Sequence, residues 1–208
     1  MDYNPQTDPS DYFNRKYVNS DRLASYTHQV ESVTDLLPAS VLEIGVGNGI
    51  TRDIIKKLVG VIKTLDIDPK LKPDFVGSVT AMPFPDSSHD LVLAAEILEH
   101  LPWDDLPKAL SEIKRVSKKF AVITLPHAGY TFSLQFKLPL LKRKSFTWKL
   151  PHFWKEHKFN GQHYWELGKK GFSRTRVTKI MNQAGFNVIS DTIYPDDPAH
   201  CVFILKND

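Results

Sequence analysis

From residue 41 to residue 126, short apolar runs alternate with stretches whose apolar positions recur every three or four residues. The runs are "SVLEIG" at 40–45, "VIKTLDID" at 61–68, "DFVGSV" at 74–79, "HDLVLAAE" at 89–96 and "FAVITLP" at 120–126. They are strand-sized and apolar on both faces, the pattern of strands covered above and below. Between them, "NGITRDIIKKLV" (48–59) and "WDDLPKALSEIKRVS" (103–117) carry helix periodicity, the second through Leu106, Leu110, Ile113 and Val116. Residues 1 to about 20 are polar and turn-rich, with scattered aromatics. After them "SDRLASYTHQVESVTDLL" predicts a helix N-capped at Ser20, with Leu23, Tyr26, Val30, Val33 and Leu37 on its apolar face, closed by Pro38. The rhythm stops from about His127 to Trp165. It resumes with a helix opened by Ser173 and ended at Gly185, then two strands, "FNVISDTIYP" and "HCVFILKN", joined by the turn-rich "PDDPA".

Strands alternating with helices predict an α/β fold: a three-layer Rossmann-like sheet, mostly parallel with an antiparallel last strand, helices on both faces, and an insertion after the fifth strand. At 208 residues the chain suits one domain over 1–208, with an N-terminal extension and helix at 1–38 and an inserted cap at 127–170. Apolar residues make up 41% and charged residues 25%, ordinary for a globular protein. The single cysteine, Cys201, has no partner for an internal disulfide, and no apolar run approaches the roughly 20 residues that span a bilayer. A cytoplasmic protein with no transmembrane segment is expected.

The glycines of "VLEIGVGNGI" follow the first strand, at the sheet edge where open α/β folds bind ligands. A dinucleotide fingerprint counted from Gly45 would need glycine at position 50, where Ile50 stands. The pattern is instead Glu43, Gly45, Gly47, Gly49. A carboxylate beside the loop repels a pyrophosphate and suits a cationic ligand. Asp66 ends the second strand, 17 residues after Gly49, placed to accept both hydroxyls of a ribose. A ribose, a cationic amino-acid part and no phosphate describe S-adenosylmethionine.

With "TLDIDP" and "GSVTAMPFPDSSHDLVLAAEILEHL", the chain resembles the class I S-adenosylmethionine-dependent methyltransferases, especially the small-molecule group with an E-x-L-E-H segment after the fourth strand. The likeness runs closely over about 40–126 and loosely over 171–207. It implies that Glu43 organises the loop and the ligand's ammonium, and that Gly45, Val46, Gly47, Asn48 and Gly49 pass under the methionine and ribose. It further implies Asp66 on the ribose, Ile67 on the adenine, Ser78 and Val79 at the adenine edge, and Ala94, Ala95 and Glu96 facing the methionine part. Two positions depart from that pattern: Ser78 stands for an acid, and His89 for an aromatic.

Methyl transfer from a sulfonium needs a positioned nucleophile, and a base where the acceptor must lose a proton. His127, then Glu96 or His100, are the candidate catalytic residues. From Phe132 to Trp165 seven Lys or Arg stand against one acid and mix with nine aromatics, a balance of +6 within a chain of net charge +3. That segment reads as a lid or platform over a small-molecule substrate; RNA or an anionic membrane surface are the alternatives. His152, His157 and His163 lie five and six residues apart in this basic stretch, so no metal is expected. The function that follows is S-adenosylmethionine-dependent methyl transfer to a small-molecule acceptor. A non-catalytic S-adenosylmethionine-binding protein, or a methyltransferase acting on RNA or a membrane-associated lipid, is the alternative.

Overall fold

A computed structural model describes residues 5–137, 139 and 144–207. Seven strands form one sheet in the order β3-β2-β1-β4-β5-β9-β8: β1 (Val41–Ile44), β2 (Ile62–Asp66), β3 (Phe75–Val76), β4 (His89–Ala95), β5 (Ser117–Pro126), β8 (Phe186–Tyr194) and β9 (Asp197–Asn207). The first five pair in parallel, while β9 runs antiparallel to both β5 and β8. The mostly parallel sheet with an antiparallel last strand is therefore present.

Alternation along the strands divides the core. Val41, Leu91, Leu93 and Val122 pack toward helices α1 (Ser20–Thr34) and α2 (Ile50–Val59), through Val30, Val33 and Ile55. Leu42, Ile44, Val92, Ala94, Ala121 and Ile123 point the other way, toward α3 (Leu106–Val116) and α4 (Arg174–Gln183). Period-two burial on both faces is what a helix-sheet-helix sandwich requires.

Chain order reverses between β1 and β4, since β1 leads outward to β2 and β3 while β4 returns to its other side. The carboxyl ends of β1 and β4 therefore splay apart into a crevice, the usual ligand site of such sheets. The antiparallel register sets His200 of β9 opposite Pro126, at the carboxyl end of β5, and so on the same rim.

Several local details differ from the sequence reading. The cap of α1 is Asn19, not Ser20: its side chain accepts the Arg22 backbone N–H at 2.9 Å. Leu37 lies past the helix at φ 48° and is exposed. "ILEHL" is one 3-10 turn over Leu98–His100, not an α-helix, because Pro102 follows directly and stops propagation. The interval after β5 contains a hairpin of β6 (Gly129–Phe136) and β7 (Lys144–Pro151), separate from the main sheet.

Candidate active site

The loop after β1 turns through three left-handed glycines. Gly45 has φ 84°, and a Cβ there would collide with the Ile97 side chain; Gly47 has φ 51° with the Tyr12 ring 3.8 Å from where its Cβ would stand. Only glycine holds such a backbone without strain while leaving its amides open to a ligand. The loop forms the floor of a cleft of about 640 Å³ whose walls include Glu43, Val46, Asn48, Asp66, Ile67, Ser78 and Val79. Gly49 is instead the N-cap of α2, and Ala94 is fully buried in the core; neither lines the cleft.

Two carboxylates shape this end. Glu43 is buried with Oε2 lacking any hydrogen-bond partner, and burial pushes its carboxyl up to about 8. A buried carboxylate oxygen without a partner is costly, and a cation in the cleft removes the cost. Asp66 is held differently: Oδ2 accepts the Val46 N–H and Oδ1 the Asp68 N–H, each at 2.8 Å. Burial raises its carboxyl, and those backbone donors oppose the rise. Each oxygen keeps a second lone pair for a hydroxyl. Ser78 Oγ is engaged with Thr80, 2.9 Å from Thr80 Oγ1. His89 takes an aromatic's place by packing edge-on against Phe84.

At the other end, Glu96 sits at φ 55°, a strained value for a non-glycine residue. Its Oε1 accepts the Thr124 hydroxyl at 2.9 Å, and its Oε2 lies 3.4 Å from His200 Nε2. His200 Nδ1 is 2.6 Å from the buried Asp197 carboxylate. Burial alone would lower the imidazole, but Glu96 and Asp197 outweigh it and raise it. His100 also lines the cleft; burial, then His163, lowers it to about 4. Glu99, fully buried beside it, has neither carboxylate oxygen hydrogen bonded. Burial and the nearby Glu96 charge raise its carboxyl well above the usual range.

His127 does not join this group. It is buried outside the cleft lining, with its carbonyl accepting from Lys149 Nζ, and burial and that cation lower it to about 3. His200, not His127, is the histidine of this rim that lines the cleft. The sequence reading missed it because a histidine early in a strand reads as strand filler; only the antiparallel register reveals its neighbours.

The N-terminal extension roofs the cleft. Gln6 clasps His100, donating from Nε2 to its carbonyl at 3.1 Å and accepting at Oε1 from Nδ1 at 2.9 Å. Tyr12 and Tyr17 meet edge to face at 5.3 Å, Arg22 lies over the Tyr17 ring, and Tyr26 accepts the Asn48 amide at 2.9 Å. The only signal of this roof in the sequence is the cluster of tyrosines in an otherwise polar stretch. Within 127–170, Gln162 and His163 are the described residues that line the cleft. The β6–β7 hairpin stands apart, with Tyr130, Phe132, Leu134, Phe136, Phe146 and Trp148 exposed. Trp165 is instead buried in the core against Trp103. Lys142 and Arg143 of the basic run lie outside the described residues.

Residues 42–124 match the model of a family described as a methyltransferase domain. No curated protein sequence matches the chain. The N-methyltransferase NodS from Bradyrhizobium japonicum, solved with S-adenosylhomocysteine, superposes with a TM-score of 0.62 at 12% identity, over 94% of this chain and 94% of its own. The 1,6-didemethyltoxoflavin-N1-methyltransferase of Burkholderia thailandensis, solved with 1,6-didemethyltoxoflavin and S-adenosylhomocysteine, gives 0.57 at 14% identity, over 99% and 92%. A SAM-dependent methyltransferase from Aquifex aeolicus gives 0.57 at 18% identity, over 97% and 100%. At such identities the likeness is one of fold.

Proposed function

We propose that this chain is a class I S-adenosylmethionine-dependent methyltransferase that methylates a small molecule at a hydroxyl or amine; the match of residues 42–124 to a methyltransferase-domain family and the shared fold support this reading. The observation that carries the reading is the division of the cleft. One end has a bare peptide loop between Glu43 and Asp66; the other gathers Glu96, Glu99, His100 and His200. S-adenosylmethionine supplies an electrophilic methyl group on a sulfonium.

The residues present suit that cofactor. The unpartnered Glu43 oxygen is placed to accept from an ammonium, whose positive charge favours ionisation of the carboxyl on binding, and the free lone pairs of Asp66 suit a diol. At the far end the acceptor's proton passes to His200. Asp197 fixes its tautomer through Nδ1–H, leaving Nε2 to take the proton, and Glu96 steadies the imidazolium that results. His127, out of the cleft, has no part in this step. The roof formed by Gln6, Tyr12 and Tyr17 excludes water and holds the acceptor near the methyl, an effect worth several kcal/mol in such displacements.

The test is an untargeted mass-spectrometric comparison of cell extracts incubated with S-adenosylmethionine and either the native protein or His200→Gln. The reading expects a product that gains a methyl group only with the native protein. A native protein that binds the cofactor yet methylates nothing would instead support a binding or sensing role.

A second reading, an acceptor lying in an anionic membrane, draws on the exposed apolar face of the hairpin and its neighbouring cations. Sedimentation with phosphatidylglycerol vesicles tests it: the native protein must pellet and Phe132→Ser/Trp148→Ser must not. Among the described residues no helix is long and apolar enough to cross a membrane.

A further inference from the structure

We propose that Glu99, His100 and His163 form a binding site for one divalent first-row transition-metal ion at the acceptor end of the cleft. This goes beyond methyl transfer, because it stands on the side chains alone. Glu99 and His100 come from the 3-10 turn after β4, and His163 comes from the loop before α4. One backbone and one side-chain contact hold the two pieces together: the Tyr164 N–H donates to the Glu99 carbonyl at 2.8 Å, and the His100 and His163 rings meet edge to face at 5.0 Å. One ligand atom from each residue lies within 4.8 Å of the others. Ligands bound at about 2.0–2.2 Å to one ion stand at most about 4.4 Å apart, so small side-chain rotations close the set.

The carboxylate supplies an independent observation. Glu99 is 0% exposed, and neither Oε1 nor Oε2 has a hydrogen-bond partner. A cation bound by the carboxylate satisfies both oxygens at once.

The imidazoles are prepared for the same task. His100 Nδ1 donates to the Gln6 side-chain oxygen and the Gln162 carbonyl, at 2.9 and 3.1 Å. His163 Nδ1 donates to Glu166 Oε1 at 3.3 Å, and Lys169 Nζ, 2.8 Å from Glu166 Oε2, holds that carboxylate in place. With Nδ1–H committed on both rings, Nε2 is left with its lone pair. An oxygen acceptor behind each metal-bound imidazole is the arrangement that fixes ring orientation in metal sites. Two nitrogens and one carboxylate oxygen suit Zn²⁺, Co²⁺, Mn²⁺ or Fe²⁺ better than Mg²⁺ or Ca²⁺, which favour oxygen sets. Three protein ligands leave coordination positions open. All three residues line the cleft, so those positions face the space where, on the methyltransferase reading, the acceptor enters.

His152, His157 and His163, five and six residues apart along the chain, do not form the ligand set. The fold commits His157 to the His163 carbonyl, 2.9 Å from its Nε2, and pairs the His163 ring with a turn 63 residues upstream. Tag-free full-length protein, dialysed against EDTA, is titrated with Mn²⁺ and Zn²⁺ by calorimetry, and its Co²⁺ form is examined by visible absorption. The proposal expects about one equivalent bound, a higher thermal midpoint with metal, and Co²⁺ bands indicating nitrogen ligands. His163→Ala and Glu99→Gln should each weaken binding about tenfold or more, and His28→Ala, on α1, should leave it unchanged. Binding absent from the native protein, or equal in native, His163→Ala and Glu99→Gln proteins, overturns it. S-adenosylhomocysteine binding measured on the same metal-free sample separates the two readings: if it persists while metal binding is absent, the metal site alone fails.

Discussion

Around the β1 loop the groups of the cleft stand close in sequence, from Glu43 to Asp66, and the backbone itself presents them. Around Glu96 the groups come from four distant stretches: Gln6 meets His100 across 94 residues, and His100 meets Gln162 across 62. The first region is positioned by one strand-loop-helix-strand unit, β1 to β2, whose glycines and strand-end acid are dictated by local geometry. The second exists only when β9 lies antiparallel on β5 and the N-terminal extension folds over. On the proposed reading a local device holds the cofactor, whereas the end of the cleft assigned to the acceptor is assembled from distant segments.

The sharpest way to break this contrast is to disable the assembled end alone. His200→Gln should lower kcat by about 10²- to 10⁴-fold with little change in S-adenosylhomocysteine affinity, measured by steady-state kinetics and calorimetry. The carboxylate neighbours raise His200, and the proposed base must be neutral to act, so on that mechanism the acid limb of kcat/KM should lie above 6.5. Asp197→Asn should move that limb to lower pH; an unmoved limb removes the dyad from the chemistry.

Next comes the local end. Asp66→Ala should weaken S-adenosylhomocysteine binding by about 10- to 100-fold, the worth of one or two charge-assisted hydrogen bonds, while circular dichroism shows an intact fold. An unchanged dissociation constant takes Asp66 out of the site.

A smaller effect concerns stability. Between the ordinary carboxyl value of 4.5 and about 8, folded Glu43 keeps a proton that the unfolded chain has released, so native stability falls as pH rises through that window. Glu43→Gln escapes the fall. Its advantage in unfolding free energy, read from urea melts, should be absent near pH 4.5 and grow to about 1 kcal/mol or more by pH 8 without ligand. Parallel curves for the two proteins would show that Glu43 is ionised at no cost.

The least effect is expected at the hairpin. Phe132→Ser and Trp148→Ser remove rings that are more than half exposed, and should change stability by less than about 0.5 kcal/mol and cofactor affinity not at all.

Much of the architecture was legible because burial on both faces leaves a plain trace: the apolar runs at 40–45, 89–96 and 120–126 could be little else. The loop glycines, Glu43 and Asp66 were legible for the same local reason. Element ends were less so, since Asn19 and Ser20 are both good N-caps and only the fold chooses. The hairpin was hidden by its exposure. Its apolar positions alternate from Tyr130 to Phe136, yet a strand signal without a buried partner looks like a basic aromatic tract. His200, Glu99 and His163 became recognisable together only through β9 register and the closing loop, which no local spacing encodes.

The central claim is that the cleft takes a phosphate-free nucleoside whose cationic tail meets Glu43. Calorimetry with S-adenosylhomocysteine and with 5′-methylthioadenosine, which lacks that tail, tests it most directly on native and Glu43→Gln proteins. The account predicts that Glu43→Gln loses about tenfold or more in affinity for S-adenosylhomocysteine and nothing for methylthioadenosine. Equal losses for both ligands, or none for either, would contradict it.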